Sequence, residues 1–559
     1  GTVWSNTTGP TATLDARIDG DLTITEDLIA NSLLINADKT LIINPTKKLQ
    51  VMGDLTNKGT IIFKSDATGD GYFDQYNGAE ISGTGIVKTE RYVPAKRAFR
   101  FLASSLTTST SIKENWQENA GTDANLGTHI TGTGGATNGF DVTENNNPSL
   151  FTFNNNTVNW QAVENTNVNI LTAGNPYRIM VRGDRTISMA TNTPTPTPTV
   201  LRANGNLYTG DYSLTGEALN QNAEGYSLIG NPYQAPVNLG SALSASTNMS
   251  TDFIYFWDPA ISGTNGRGGF VTYDLDTESN NVNGSGITKY LQPGQAAFIQ
   301  KNNTTDAASF IIKEANKSVE NGNAAVFRTT SGPSSIRLTL REPNTNAPID
   351  GTVAVFNSNY STDATSEDAI KFSNLEEQVS IRKGATLLSI NKQPEAQENT
   401  VLQLDIKNYR STQYNWQLET INYNGLQPVL YDAYLDSYTP FSDSNYSFSV
   451  NNEDTESTSQ NRFSVVFDAN LSNELFVSSN VAVYPNPTKN AANGFYVSYF
   501  KPETLSVTLH NSLGQLIGTK QQIENGQIKV VPNTILEKGV YLIAIKTDNK
   551  TVNKKWIIN

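Results

Sequence analysis

Short apolar clusters alternate with polar, glycine-containing turns along the first part of the chain. They occupy residues 22–24, 33–35, 41–43, 49–51 and 60–63, with Asn, Asp, Gly and Lys between them. Clusters this short and this closely spaced predict a parallel β-helix or β-solenoid-like region over residues 1–91. Because the spacing is irregular, a compact β-sandwich is the alternative for this region.

The pattern changes further along the chain. Residues 92–330 are rich in aromatic residues and broken by glycine, which predicts a β-rich central region. Residues 331–468 alternate apolar and polar positions, which predicts an antiparallel β-sandwich. Residues 469–480 lose the alternation and are predicted to form a linker. Helical candidates are short, and residues 365–372 are the best of them.

The last part of the chain, residues 481–559, forms a separate pattern. An apolar stretch at 481–484 runs into Tyr484-Pro485-Asn486-Pro487, which must leave a sheet because two prolines remove two ladder donors. Further strands are predicted at 505–509, 539–546 and 555–558, with a turn at 512–515. The expected fold class is therefore all-β and multidomain, ending in an Ig-like β-sandwich.

Composition narrows the possible functions. The 559 residues contain 40 Lys and Arg against 53 Asp and Glu, a net charge of −13, which argues against a nucleic-acid or anionic-membrane surface. There is no cysteine, so thiol catalysis, metal–thiolate sites and disulfides are excluded. No apolar run is long enough to span a bilayer.

The C-terminal pattern resembles the type A C-terminal sorting domain of the type IX secretion system of Bacteroidota. The resemblance rests on Tyr484-Pro485-Asn486-Pro487, a central Leu-Gly turn, Gly539-x-Tyr541 and a basic-then-apolar last strand. The residues that would carry the sorting signal are Tyr484, Pro485, Asn486, Pro487, Gly514, Gly539, Tyr541, Lys546, Lys554, Lys555 and Trp556. Less specific similarity to large Bacteroidota surface proteins covers most of residues 20–470 and implies no reaction.

The resemblance implies how the protein is handled. An outer-membrane translocon recognises such a domain, and a shuttle protein passes the cargo to a sortase-like protease that removes the domain. We therefore expect export across the outer membrane to the cell surface or the medium, and cleavage within residues 468–479. An export signal is expected to have preceded Gly1 and to have been removed.

An acidic loop is the candidate metal site. Asp66, Thr68, Asp70 and Asp74 occupy positions one, three, five and nine of a calcium-type loop, with Gly71 at the turn and Tyr72 following it. The twelfth position is Asn77, which cannot supply a bidentate carboxylate. A solvated acidic β-turn is the alternative.

Catalytic patterns are absent from the sequence. Only two histidines occur, His129 and His510, and neither a His-Glu-x-x-His nor a Gly-x-Ser-x-Gly motif is present. A glycosidase with two carboxylates leaves no local spacing signal, and Trp116, Trp160 or Trp257 could stack on sugars. We therefore expect a non-enzymatic, adhesive or surface-structural protein without a cofactor. The alternative is a secreted carbohydrate-binding or glycan-degrading protein.

Overall fold

The computed structural model describes residues 4–5, 8–78, 81–322, 333–441, 445–467, 481–499, 506–524, 527–546 and 551–559. It confirms the all-β, multidomain fold class. The first compact unit comprises Gly1–Pro394, Asp405–Tyr423 and Asp443–Gln460, and the second comprises Glu395–Leu404, Asn424–Ser442 and Asn461–Asn559. The boundaries predicted from sequence patterns stay predictions.

The first unit begins with a parallel β-helix of three sheets. Its strands and an inserted hairpin are β1 (Ala16–Ile18), β2 (Leu22–Ile24), β3 (Leu28–Ala30), β4 (Leu33–Ile35), β5 (Thr40–Ile43), β6 (Lys48–Val51), β7 (Leu55–Asn57), β8 (Thr60–Phe63), β9 (Ser65–Asp66), β10 (Gly69–Asp70), β11 (Tyr72–Phe73) and β12 (Ile86–Val93). The sheets run in the orders β1-β4-β7, β3-β6-β11 and β2-β5-β8-β12, and every pair in them is parallel. The short apolar clusters therefore form a β-helix and not the alternative sandwich.

The alternation of side chains explains how these short strands are held. Leu22, Leu41 and Ile61 stand in register on neighbouring strands, and Leu41 and Ile61 are almost fully buried. Parallel strands in register stack like residues above one another, so each turn of the helix covers the apolar side chains of the next. Gly59 lies where two turns approach closely, because a Cβ there would be 2.2 Å from the carbonyl oxygen of Lys39.

The central region joins the β-helix through β12. This region contains β13 (Ala98–Leu102), β14 (Leu106–Thr108), β15 (Leu150–Asn154), β16 (Asn159–Ala162), β17 (Tyr177–Val181), β18 (Thr199–Leu207), β19 (Tyr212–Thr215), β20 (Tyr226–Gly230), β21 (Val237–Asn238), α1 (Leu239–Ser244), β22 (Phe253–Asp258), β23 (Gly269–Asp274), β24 (Ser279–Asn280), β25 (Tyr290–Leu291), β26 (Ala296–Gln300) and β27 (Ser309–Ile312). β12 pairs in parallel with β8 on one edge and antiparallel with β18 on the other. The β-helix sheet therefore continues as β14-β18-β12-β8-β5-β2.

Two further sheets of the central region enclose an aromatic core. They run β13-β17-β15-β16 and β20-β26-β22-β23-β24, and smaller pairs are β19-β27 and β21-β25. Phe101, Trp257 and Phe298 are buried together in this core, with the Phe101 and Trp257 rings stacked at 5.5 Å. Large aromatic side chains supply most of the apolar area that such a core removes from water.

The remaining strands before the C-terminal part are β28 (Ser335–Arg341), β29 (Pro348–Phe356), β30 (Ala369–Ile370), β31 (Gln378–Lys383), β32 (Thr386–Gln393), β33 (Val401–Lys407), β34 (Gln413–Ile421), β35 (Pro428–Asp432), β36 (Ser437–Pro440), β37 (Asn445–Ser449) and β38 (Phe463–Phe467). In the first unit they follow the order β37-β34-β28-β29-β32-β31, with β30 against β32. In the second unit β36, β35, β38 and the start of β33 pair antiparallel in that order.

Each of these two groups of strands has a buried ion pair. In the first unit, Lys371 Nζ donates to Asp350 Oδ1 at 2.6 Å, and both side chains are buried. In the second, Arg462 donates to both carboxylate oxygens of Asp432 at 3.0 Å. Removing one partner of such a pair leaves an uncompensated buried charge, so the two members of each pair depend on one another.

The predicted helix at 365–372 is wrong. The amide of Asp368 donates to the carbonyl of Thr365 at 3.2 Å, and the Asp368 carboxylate accepts from the Thr365 amide at 2.9 Å. This side chain closes a turn that leads into β30, because Asp competes with helical backbone bonding in this way. Among the described residues, no helix is both long and apolar enough to cross a membrane.

The second unit ends in the C-terminal module, residues 481–559. Its described strands are β39 (Val481–Tyr484), β40 (Phe495–Tyr499), β41 (Ser506–His510), β42 (Leu516–Ile517), β43 (Thr519–Glu524), β44 (Gln527–Pro532), β45 (Gly539–Lys546) and β46 (Thr551–Ile558). They form two four-stranded sheets, β39-β40-β44-β43 and β42-β41-β45-β46, and all of these pairs are antiparallel.

Candidate functional site

The C-terminal module is held by a small apolar core. Its buried side chains come from both sheets: Phe495, Val497, Val507, Leu509, Val530, Ile543, Ile545, Trp556 and Ile558. Trp556 is fully buried and its ring lies 4.8 Å from that of Phe495. The strand that carries Trp556 is therefore needed to complete the core, since one large aromatic fills much of a module of this size.

The segment Tyr484-Pro485-Asn486-Pro487 binds this last strand. Its first and last residue pairs are joined by cis peptide bonds. The Asn486 side chain donates from Nδ2 to the Lys555 carbonyl at 2.7 Å and accepts at Oδ1 from the Ile557 amide at 2.9 Å. The Trp556 indole N–H donates to the Pro485 carbonyl at 3.0 Å. The side-chain amide group of Asn486 thus makes the hydrogen bonds that a neighbouring strand would make with β46.

Thr488 continues the same contact and was not singled out by the sequence. Its amide donates to the Ile557 carbonyl at 2.8 Å, and its carbonyl accepts from the Asn559 amide at 2.9 Å. Thr488 and Ile558 form a parallel bridge. Residues 485–488 and 555–559 are therefore one continuous structure, although about seventy residues separate them in the sequence.

Tyr484 ends β39 with an exposed ring. The ring is stacked on Tyr496 at 5.8 Å, the side-chain hydroxyl donates to Gln527 Oε1 at 2.5 Å, and 40% of the residue is exposed. Beside it lies a groove of about 490 Å³ lined by Pro485, Tyr496 and Lys529. The groove places a proline, a tyrosine and a lysine of the module at the surface.

Three other residues of the predicted signal lie on β45. Tyr541 pairs directly with Trp556 across β45 and β46, and its hydroxyl donates to the Glu537 carbonyl at 2.8 Å. Gly539 begins β45 opposite Ile558, at the same end of the sheet. Lys546 ends β45 opposite Thr551, about 23 Å along the strand from Gly539 at the usual rise per residue. Tyr541 and Gly539 lie with the bound ends, and Lys546 lies away from them.

Gly514 lies in a separate turn between β41 and β42. Its φ of +80° belongs to the left-handed region, which glycine enters without steric cost. The Asn511 side chain accepts from the amides of Leu513 and Gln515 at 3.0 and 2.9 Å and so closes this turn. Asn511 could have been found from the sequence, because Asn two to three residues before Gly is a turn signal.

The remaining lysines differ in exposure. Lys554 is half-buried and Lys555 is exposed, and both precede the buried Trp556 on β46.

The predicted cleavage segment, residues 468–479, and the predicted linker, residues 469–480, lie outside the described residues.

The acidic loop has a geometry of its own. Asp66 is exposed on the β9–β10 hairpin, where the Thr68 side chain and amide bind it and hold its pKa below the usual value. Asp70 is buried and accepts from Ser65 and Arg91 at 2.6 and 2.5 Å. Asp74 pairs with Lys48 at 3.1 Å.

These partners bear on the predicted calcium site. Tyr72 is buried and Thr68 is exposed, so the candidate ligands face different surroundings. The part of the chain that the structure describes contains no group of three or more His, Asp or Glu side chains arranged to hold a metal ion. Calcium binding stays a prediction, and an ion at this loop competes with the ion-pair partners of Asp70 and Asp74.

Two of the three candidate sugar-binding tryptophans are core residues, and the third is partly buried against the core. Trp116 and Trp257 are 4% and 6% exposed, and Trp160 packs against the aromatic core beside Phe101. His129 lies half-buried in a loop, with its Nδ1 3.3 Å from a carboxylate oxygen of Asp141. His510 is half-buried at the end of β41.

Comparisons with known proteins agree with the geometry of the C-terminal module. Residues 482–559 match the family model of the secretion system C-terminal sorting domain. The chain also resembles the solved structure of PorZ, an essential bacterial surface component of the type-IX secretion system of Porphyromonas gingivalis, at 10% identity and a TM-score of 0.13. That match covers 55% of this chain and 43% of PorZ, and we draw nothing from so low a score.

No curated protein matches the chain. The family match nevertheless covers the strands, the Tyr484-Pro485-Asn486-Pro487 segment and the closing strand as one module. Such a domain marks proteins for export by the type IX system to the cell surface or the extracellular space. Residues 482–559 are therefore a C-terminal sorting domain, and the protein is an exported cargo of the type IX secretion system.

Proposed function

We propose that the exported part of this protein is an adhesive or surface-structural component of the cell surface. The observation that carries the proposal is the pairing of an export domain with a large β scaffold, in which a parallel β-helix shares one continuous sheet with the region that follows it. Shared sheets and buried cores make such a scaffold stiff, and stiffness suits a protein that bears load or presents a binding surface.

The adhesive role has a direct test. A strain lacking the gene, grown beside its parent, is expected to lose surface attachment or gliding motility and to regain them on complementation. Purified protein is expected to release no reducing sugar from polysaccharides, in line with a non-enzymatic role. Normal attachment and motility in the deletion strain contradict the adhesive proposal. Sugar release that one Asp or Glu substitution abolishes favours the alternative, a glycan-degrading protein.

We also propose how the sorting domain is used. The translocon and the shuttle protein recognise it as a folded module, and the sortase-like protease then cuts within residues 468–479. The support is that the residues of the predicted signal at both ends of the module, Asn486 and Trp556 among them, belong to one hydrogen-bonded structure. A receptor that binds this edge therefore contacts both ends of the signal at once.

Deletion of residues 481–559 tests the export role. The truncated protein is expected to remain in the periplasm, where fractionation and protease shaving of intact cells will detect it. Appearance of the truncated protein at the surface, at the level of the full chain, contradicts the proposal. The cleavage proposal is checked separately by intact mass and C-terminal peptide mapping of the surface form.

A further inference from the structure

A polar cleft of about 420 Å³ opens in the first unit beside the β9–β10 hairpin. We call it the hairpin cleft. The side chains that matter for its chemistry are Asp66, Arg91, Tyr92, Tyr290, Gln292 and Gln295. Its volume lies within the range of about 300–1,000 Å³ that is usual for ligand sites.

The charges of the hairpin cleft are nearly balanced. Its charged lining consists of one arginine, Arg91, and two aspartates, Asp66 and Asp70. Arg91 Nη1 donates to Asp70 Oδ2 at 2.5 Å, and this pair carries no net charge. Asp66 leaves a small excess of carboxylate, so an anionic ligand is repelled and a neutral one is not.

The polar groups of the cleft are planar and held in place. Asp70 accepts a hydrogen bond from Arg91 and another from the Ser65 hydroxyl, and these bonds fix the Arg91–Asp70 pair. The Arg91 side chain stays 28% exposed. Gln295 Oε1 accepts from the Gln292 amide at 3.0 Å, which orients the Gln295 side chain. Fixed planar groups of this kind make paired hydrogen bonds to adjacent hydroxyls at little cost in side-chain entropy.

Two tyrosines supply apolar surface. Tyr92 and Tyr290 line the cleft, and both are half-buried. A ring with one wet edge and one apolar face binds ligands that carry both C–H faces and hydroxyls. Sugars combine C–H faces with hydroxyls in this way.

From these features we propose that the hairpin cleft binds a short neutral oligosaccharide, with Tyr290 stacking on a sugar ring and Asp66 and Arg91 bonding its hydroxyls. This inference rests on the proposed adhesive function and names the chemistry that is recognised. It also places sugar binding away from Trp116 and Trp257, which are buried.

Calorimetric titration of the full chain tests the proposal. The probes are neutral gluco-, manno- and galacto-oligosaccharides and an acidic oligogalacturonate. At least one neutral probe is expected to bind and the acidic probe is not. Tyr290→Ala is expected to weaken neutral binding about tenfold, the usual effect of losing one aromatic contact. Tyr290→Phe keeps the ring and is expected to bind nearly as the parent does.

Two further variants keep the test independent of misfolding. Asp66→Ala changes an exposed hairpin residue and is expected to weaken binding about fivefold. Tyr438→Ala removes a half-buried tyrosine of the second unit and is expected to leave affinity unchanged. Thermal melting checks that each variant is folded.

The outcomes separate this proposal from the adhesive one. Absence of neutral binding, tighter binding of oligogalacturonate, or unchanged affinity in both Tyr290→Ala and Asp66→Ala overturns the sugar cleft. If a deletion strain loses attachment and complementation with the Tyr290→Ala gene restores attachment fully, the adhesive proposal stands and the cleft assignment fails. If neutral probes bind with the expected losses while the deletion strain attaches normally, the cleft stands and adhesion fails.

Discussion

Replacement of Asn486 by alanine is the sharpest test of how the sorting domain is closed. The side chain makes two hydrogen bonds to the last strand, to the Lys555 carbonyl at 2.7 Å and from the Ile557 amide at 2.9 Å. Each bond of this kind contributes about 0.5–1.5 kcal/mol. Asn486 is exposed, so water recovers part of the loss, and we expect local destabilisation of about 1–2 kcal/mol.

Hydrogen exchange measures this loss directly. A local destabilisation of this size corresponds to about 5- to 30-fold faster exchange, because 1.4 kcal/mol is a factor of ten. The full chain is exchanged and digested, and the peptides that contain residues 484–488 and 551–559 are followed by mass spectrometry. Peptides of the first unit are expected to exchange as in the parent.

Asn553→Ala is the matched control. Asn553 lies on the same strand as Ile557 and its side chain is exposed. Its replacement is expected to leave exchange of the last strand unchanged. Equal exchange of residues 555–559 in the parent and in Asn486→Ala would refute the conclusion that Asn486 fastens the two ends of the module.

Three other changes probe the first unit. Gly59→Ala places a Cβ against the carbonyl oxygen of Lys39 and is expected to lower the free energy of unfolding by about 1–3 kcal/mol in chemical denaturation. The control, Gly20→Ala, meets no atom within 4 Å and is expected to be neutral. Equal denaturation midpoints for the two variants contradict the close approach. Lys371→Met leaves buried Asp350 unpaired and is expected to destabilise the unit by about 3–5 kcal/mol, measured by denaturation against a Lys371→Met, Asp350→Leu double variant that should recover much of the loss. Burial raises the pKa of Asp141, but the nearby His129 and the hydrogen bonds from Arg185 outweigh burial and hold that pKa well below the ordinary 3.8. The contribution of Asp141 to stability is therefore present above pH 3.8 and is lost as the pH falls below it. Asp141→Asn is therefore expected to flatten the loss of stability below about pH 4, and an unchanged profile contradicts this.

The β-helix was predictable because its signal is local. Each turn repeats a short apolar cluster, and the buried positions alternate along single strands such as β5 and β6. The change from parallel to antiparallel pairing at β12 was not predictable, since its partner β18 begins more than one hundred residues later. Nothing in the local pattern of β12 indicates which strand will take its second edge.

The sorting domain shows the same division. Two prolines predict that the chain leaves the sheet after Tyr484, and β39 ends there. The sequence does not indicate that Asn486 faces β46, because the two segments are joined only by the folded module. The buried pair of Lys371 and Asp350 was missed for the same reason, as charged residues in alternating strands are normally solvated.

The closing strand makes the sorting domain a check on completeness. Trp556 fills the core, and Asn486 and Thr488 have their partners in residues 555–559. A polypeptide that stops before Trp556 keeps Tyr484-Pro485-Asn486-Pro487 but lacks the residues that this segment binds. It also lacks the Trp556 ring that fills the core between the two sheets. Truncated chains are therefore expected to lack a folded export domain and to stay in the periplasm, so the contact that closes the domain also retains unfinished products.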